Sequence, residues 1–328
     1  MKAIDLFCGA GGLSLGLKMA GWDVAAAIEY ERMAMETHAR NMPEVDHLCG
    51  DVRDVDFRRY RGAIDLVAGG PPCQPFSVSG KQLGNEDLRD MVPQFVRAVR
   101  EIKPKIFLLE NVLGLTTARF LPYLEGKIRE LAKLGFNVQW KVLNAADYGV
   151  PQKRLRLIVV GVREGADFKF PNPTHGIGKK KAYQTVAQAL SDCPDDEPNR
   201  ARVVYAKNPI LRRSPYAGML LNGKGRPLDM DAPSFTIPAS AGGNRTHILD
   251  PEGVLRKYHA HLMHGGKPRS GDVEGCSRLT VKQSARLQTF PDSFEFAGRR
   301  NQRYTQIGNA VPPAFGAAVG RKLLECLR

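Results

Sequence analysis

The chain has no Cys-x-x-Cys pair. Its six cysteines, at 8, 49, 73, 193, 276 and 326, are scattered. That spacing excludes a zinc knuckle and a thioredoxin-type redox site. A disulfide framework is equally out of place in 328 residues of which 43% are hydrophobic, because such a chain can bury a large core without staples. Long apolar runs are also missing. The uncharged stretch 66–80 contains three prolines and is too short to span a bilayer. Asp5 interrupts the opening residues too early for a signal-peptide core. No internal repeat is visible, and the only low-complexity element is Lys179-Lys180-Lys181, which reads as a solvated loop. The expectation is a soluble cytoplasmic protein of about two domains, acting as a monomer.

Acidic residues are in short supply: 34 against 48 basic ones, a net charge of +14. The deficit is local. Residues 1–172 hold 24 basic and 21 acidic side chains, a net of +3, whereas residues 173–303 hold 21 and 12, a net of +9. An excess of this kind favours an anionic partner, and the middle segment is the candidate for gripping phosphates.

In the first half, short apolar runs alternate with amphipathic stretches, the pattern of βαβ units. Strands are expected at 3–7, 24–28, 64–68, 106–109, 138–143 and 156–162, and helices at 12–20, 90–103 and 121–134. After Phe170 the texture becomes rich in Gly, Pro, Asn and Arg, with weak periodicity. A strand-like piece stands at 234–238, and helices return at 281–288 and 313–327. The predicted class is α/β: a Rossmann-like, mainly parallel sheet with helices on both faces, plus a smaller basic domain. The larger domain is expected to be 1–172 plus 304–328. The smaller domain would be 173–303, including the 278–291 segment and hinge.

Five segments carry candidate chemistry. Asp5-Leu-Phe-Cys-Gly-Ala-Gly-Gly-Leu places glycines after a strand and before a helix, which permits close approach of backbone to a ligand. Glu29, twenty residues beyond Gly9, ends the next strand and can take two ribose hydroxyls; Asp51 can accept from an adenine amino group. By itself this pattern also permits NAD. Cys73 sits in Gly-Gly-Pro-Pro-Cys-Gln-Pro, where prolines hold the loop stiff. Such a loop makes poor core but a good mount for a nucleophile. Glu110, in Glu-Asn-Val, stands at a buried strand end, a place for a general acid. Arg154 and Arg156 alternate, so they share a face. The turn formers of 304–313 suggest a ligand loop before the last helix. His259, His261 and His264 cluster without a carboxylate or cysteine to complete them, so no metal site is expected.

Taken in order, these segments resemble the C5 cytosine DNA methyltransferases of bacterial restriction-modification systems. The resemblance rests on the Gly turn at 5–17, Pro-Cys-Gln at 69–77, Glu-Asn-Val at 110–112 and Gln-x-Arg-x-Arg at 152–156. Two further segments extend it: Arg-Leu-Thr-Val-Lys-Gln-Ser-Ala-Arg-Leu-Gln-Thr-Phe-Pro at 278–291 and Gly-Asn-Ala-Val-Pro at 308–312. The resemblance implies S-adenosyl-L-methionine as cofactor, held by Phe7, Gly9, Gly11, Glu29, Asp51 and Asn309. It makes Cys73 the nucleophile and gives Glu110, Arg154 and Arg156 the flipped base. Ser79 falls on the loop that closes over DNA in the family, and Thr236-Ile237 on a Thr-aliphatic pair near the end of its target-recognition region. Cys8 departs from the usual Ser or Ala, and the remainder of 173–277 matches no family pattern. Arg212, Arg213, Arg226 and Arg245 are candidates for reading bases or clamping phosphates.

The chemistry explains the residue types. Carbon 5 of cytosine is a poor nucleophile, and thiolate addition at carbon 6 makes it electron-rich. A carbon inside a duplex is out of reach, so the nucleotide must be flipped out. An RNA (tRNA) cytosine-5 methyltransferase built on the same motifs is the alternative. The basic 173–277 segment favours double-stranded DNA. Target sequence, and whether a cognate restriction endonuclease accompanies the enzyme, are left open.

Overall fold

The computed structural model describes residues 1–72, 90–163, 168–194 and 196–327. They divide into two compact units. One comprises Met1–Tyr148, Arg154–Thr174 and Ala310–Arg328; the other comprises Gly149–Lys153 and His175–Asn309. Compared with the expected division, 149–153 and 304–309 fall in the smaller unit, and its main stretch begins at 175.

The larger unit is built on a seven-stranded sheet: β1 (Lys2–Leu6), β2 (Asp23–Glu29), β3 (Asp46–Cys49), β4 (Leu66–Gly69), β5 (Ile106–Val112), β6 (Phe136–Asn144) and β7 (Leu155–Arg163), in the order β3-β2-β1-β4-β5-β7-β6. β7 runs antiparallel to both of its neighbours, and the pairs among β1–β5 are parallel. Central strands read as unbroken apolar runs because both faces are covered. Ala3, Ile4, Leu66, Val67, Ala68, Ile106 and Phe107 are fully buried.

α1 (Gly12–Met19) and α2 (Arg32–Asn41) connect β1 to β2 and β2 to β3, whereas α3 (Val92–Ile102) and α4 (Leu121–Ala132) connect β4 to β5 and β5 to β6. Because such crossovers are right-handed as a rule, the two pairs belong on opposite faces of the sheet. The chain reverses its direction of travel between β1 and β4. Open α/β sheets place their ligands at that switch point, beyond the carboxyl ends of the strands. The Gly turn follows β1 and the Pro-Pro loop follows β4, so the two motifs flank it.

The last helix, α9 (Pro313–Glu325), packs on α1 through glycine: a Cβ at Gly16 would lie 2.6 Å from the Pro313 carbonyl oxygen. Trp22 Nε1 donates to the Gly320 carbonyl at 2.9 Å.

Two elements of this unit have weak sequence signals. β3, Asp-His-Leu-Cys, is a short edge strand without apolar alternation. α2 is mostly polar and starts on the Glu31 side chain, which accepts from the Ala34 N–H at 2.8 Å.

The smaller unit has a core of Val203, Tyr205, Leu220, Leu221, Ile248, Leu255, Tyr258, Leu262 and Val273. Its elements are α5 (Val186–Leu190), β8 (Tyr205–Ile210), β9 (Met219–Leu221), β10 (Ile248–Leu249), α6 (Val254–Met263), β11 (Ser277–Arg278), α7 (Val281–Leu287) and α8 (Arg300–Asn309). Two expectations are corrected here. Residues 304–309 close a helix rather than form a loop. Gly308, a poor helix former, is kept because the Pro238 carbonyl presses on it, 2.3 Å from where a Cβ would sit. Residues 234–238 do not form a strand: only Ser234 pairs, in an isolated bridge to Gln152.

Candidate active site

The cofactor edge begins where β1 ends. Phe7, Gly9 and Gly11 all have positive φ, at 59°, 55° and 94°. For phenylalanine that conformation is strained, and strain of this kind is typical of ligand turns. Gly11 has no room for a side chain: its Cβ would lie 2.4 Å from the Met42 methyl and 2.8 Å from the His38 ring.

Glu29 ends β2 and ties the turn down. One carboxylate oxygen accepts from the Gly9 N–H at 2.9 Å, the other from the Glu31 N–H at 2.8 Å. Burial raises its pKa, and these backbone donors oppose the rise. A carboxylate has about four acceptor sites, so capacity remains for ribose hydroxyls. Tyr30, which follows, is 75% exposed, an aromatic face the sequence reading did not single out. Asp51 caps the next turn and accepts from Arg53 through both oxygens, at 3.0 Å from Nε. Asn309 is the exposed last residue of α8, in the smaller unit.

The second edge joins β4, β5 and β7. Glu110 pairs with Arg156 at 2.8 Å from Nε to Oε1. The antiparallel register brings them together, since Arg156 lies opposite Val112, two residues beyond Glu110. Burial lowers the Arg156 pKa, and Glu110 opposes that. Gly70 leaves space for the carboxylate: a Cβ there would stand 3.1 Å from Glu110 Oε2. Asn111 Nδ2 donates to the Pro71 carbonyl at 3.3 Å and so ties the end of β5 to the loop that carries Cys73. The spacing reading passed over Asn111, although the Glu-Asn-Val motif contains it.

Arg154 is 2% exposed, and its guanidinium donates to the Ala310 carbonyl at 2.9 Å. Leu155 between the two arginines is 46% exposed, so both arginines turn inward. Cys73 and Ser79 lie outside the described residues.

In the smaller unit Arg212, Arg213, Arg226 and Arg245 are exposed. None forms an ion pair among the described residues, and Arg226 lies over the Phe235 ring at 5.4 Å. The Thr236 hydroxyl donates to the Lys153 carbonyl at 2.8 Å, and the Ile237 N–H donates to Gln152 Oε1 at 3.1 Å. Ile237 is 1% exposed, so its side chain is buried. His259, His261 and His264 lie along α6 and its cap, each bonded to a backbone carbonyl: Arg212, Lys267 and Ala260.

A strained glycine turn, a strand-end carboxylate and a carboxylate–arginine pair thus stand at the switch point of an open α/β sheet, the place where such folds bind their ligands. The profile of the C-5 cytosine-specific DNA methylases matches residues 1–325. The chain is 36% identical over 328 residues to the type II methyltransferase M.NgoMIV of Neisseria gonorrhoeae, covering 99% of this chain and 98% of that one. It is 34% identical to M.XorII of Xanthomonas oryzae, covering 99% and 85%. Among solved structures, a DNA modification methyltransferase encoded in an E. coli prophage shares the fold at a TM-score of 0.70 and 23% identity, over 100% and 99% of the two chains. S. pombe Dnmt2 methyltransferase does so at 0.71 and 17%, over 100% and 99%. The chain belongs to the C-5 cytosine-specific DNA methylase family and is a DNA (cytosine-5-)-methyltransferase. No helix among the described residues is long and apolar enough to cross a membrane.

Proposed function

We propose that the enzyme flips a cytosine from a specific duplex site, adds Cys73 to its carbon 6 and methylates carbon 5. The observation that carries this reading is the Glu110–Arg156 pair, tied through Asn111 to the Pro71–Pro72 loop. Glu110 protonates N3 of the base, which eases thiolate addition, and Arg156 holds O2 by a charge-assisted hydrogen bond. Arg154 supports this edge from behind through Ala310. A base then removes the carbon 5 proton and the cysteine leaves.

The turn fits S-adenosyl-L-methionine. The positive-φ residues Phe7, Gly9 and Gly11 present backbone to the ligand, Glu29 takes the ribose, Asp51 the adenine amino group, and Tyr30 offers a ring for stacking. When bound, the cofactor supplies the methyl group as a sulfonium electrophile. The exposed arginines of the smaller unit supply contacts to phosphates and base edges of double-stranded DNA. The reading further places the enzyme in the cytoplasm as a monomer, protecting DNA from a restriction endonuclease of the same target.

The test is plasmid incubated with enzyme and cofactor, followed by bisulfite sequencing. Conversion-resistant cytosine at one position of one recurring sequence is expected. Absence of 5-methylcytosine from every sequence context would overturn the reading.

A further inference from the structure

Behind the cofactor turn lies a chain of polar side chains that the reaction does not use. Asp5 in β1 is fully buried, and Ser14 Oγ lies 2.6 Å from its Oδ2. Ser14, on α1, is also fully buried, and its hydroxyl lies 2.9 Å from His38 Nε2 on α2. His38 Nδ1 lies 2.8 Å from Nε2 of His47 on β3, whose ring is partly exposed. Four groups from four elements, β1, α1, α2 and β3, thus form one unbroken line from a buried carboxyl to the surface. The line borders the turn itself: Asp5 is two residues before Phe7, and the His38 ring is what a side chain at Gly11 would strike.

We propose that Ser14, His38 and His47 form a proton relay for Asp5, and that binding of the sulfonium cofactor to the adjoining turn drives a proton out along it. With the proton on Asp5, the acid donates to Ser14, Ser14 donates to His38 Nε2, and His38 Nδ1–H donates to His47 Nε2. On ionisation every bond keeps its partners and reverses its donor. The Asp5 proton passes to Ser14 Oγ, the serine proton to His38 Nε2, and the His38 Nδ1 proton to His47 Nε2. His47 gives up its other ring proton to water, so one proton leaves and no other bond changes.

The surroundings suit this role. Burial and the neighbouring Glu29 raise the Asp5 pKa, opposed by the Ser14 hydroxyl, to about 7. Oδ1 of Asp5 has no hydrogen-bond partner among the described residues, as expected for an acid that spends part of its time neutral. Cys8 is the other titratable group beside it. Burial, with His47 and Lys18 nearby, pushes His38 down to about 3, while Glu44 opposes them. His38 therefore stays neutral and can move a proton only by exchanging tautomers. Around His47, burial lowers the pKa and Asp46, Glu44 and the Val45 carbonyl oppose it, so a proton arriving there is released near neutral pH. A cation bound at the turn favours ionised Asp5, and by linkage ionised Asp5 favours the cation. The demethylated product is an uncharged thioether and lacks this preference.

The cofactor part of the inference rests on the S-adenosylmethionine reading above; the relay does not. Nitrogen-15 NMR of histidine-labelled protein without cofactor should show His38 neutral from about pH 5.5 to about 8.5 while it switches from Nδ1–H to Nε2–H, with a midpoint near 7. Asp5→Asn should hold one tautomer throughout. A His38 that keeps a single tautomer, or a switch that survives Asp5→Asn, overturns the relay. Calorimetry at pH 7 in two buffers of different ionisation enthalpy reads the linkage. S-adenosylmethionine should release a fraction of a proton, S-adenosylhomocysteine less, and Asp5→Asn none with either. Equal release by both ligands overturns the coupling. A wild type that binds neither ligand refutes the cofactor reading and with it the coupling, while the NMR result still decides the relay.

Discussion

The two units are held together in different ways. The larger rests mainly on strands apolar on both faces, and its candidate site residues gather at one end of the sheet. In the smaller unit, buried polar side chains act as clamps on loops. Arg278 is 2% exposed and donates to the carbonyls of Thr246 at 2.8 Å and Asn222 at 3.1 Å. Gln152 is fully buried and reaches Gln288 at 3.0 Å and the Leu287 carbonyl at 3.3 Å. Half-buried Asn199 acts the same way, bridging the Gly243 carbonyl at 3.2 Å and the Thr246 hydroxyl at 3.1 Å. Hydrophobic layers tolerate exchange of similar residues, whereas a buried clamp fails when one partner goes, because the carbonyls it served are left unpaired. Chemistry is therefore expected to be lost residue by residue in the larger unit, and recognition loop by loop in the smaller.

The largest effect should come from Cys73→Ser, which replaces the nucleophilic sulfur by a weakly nucleophilic hydroxyl with little change of shape. Turnover should disappear while DNA and cofactor binding persist, and DNA with 5-fluorocytosine at the target should trap a covalent complex with wild type only. Robust turnover by the variant would refute the mechanism. Glu110→Gln keeps the shape and a hydrogen bond to the base but cannot pass a proton; the single-turnover rate should fall by roughly 10²–10⁴. An unchanged rate would reduce Glu110 to a structural partner of Arg156 within β5.

Arg278→Met sharpens the contrast between the units. Each orphaned carbonyl costs about 1–3 kcal/mol, so the smaller unit should loosen. Target-directed methylation should drop, and calorimetric affinity for the cofactor should hold. A parallel loss of both would show that the units do not respond separately.

Asp5→Asn probes the larger unit through pH. The Asp5 pKa is raised from 3.8 to about 7, so the folded state keeps a proton that the unfolded chain has lost. Wild type should therefore lose stability as pH rises from about 4 to about 7 and lose no more above that. Denaturant titrations at several pH values should show the variant gaining on wild type across that window; parallel curves would mean that Asp5 ionises freely.

The smallest effect belongs to Arg245→Ala. Arg245 ends a short turn, Gly243–Arg245, with its side chain exposed. If it reads a base, binding should weaken by roughly 1–3 kcal/mol and methylation relax at one position of the site. Uniform weakening across sequences, with a flatter salt dependence, would make it a phosphate clamp instead.

The sequence by itself determined most of the strand and helix pattern of the larger unit, all but β3 and α2, and the placing of Glu29 and Glu110 at the ends of apolar runs. Continuous apolar runs such as 64–68 and 106–109 can be satisfied only by burial, and the glycines and prolines that follow them are local restrictions on φ. Glu29 and Glu110 were legible because each ends such a run. The tertiary structure alone decided what has no local signal. Residues 304–309 look like a turn but close a helix, and the glycine that suggested the turn is there because the Pro238 carbonyl fills the space a side chain at 308 would take. Arg278 looks like a surface cation but is buried, because two carbonyls 32 and 56 residues away converge on it. Asp5, Ser14, His38 and His47 are unremarkable in four separate segments and become one chain only when β1, α1, α2 and β3 are stacked side by side. Periodicity records which face of an element is buried. It carries no record of which distant donor meets which acceptor, and that pairing is a property of the folded chain.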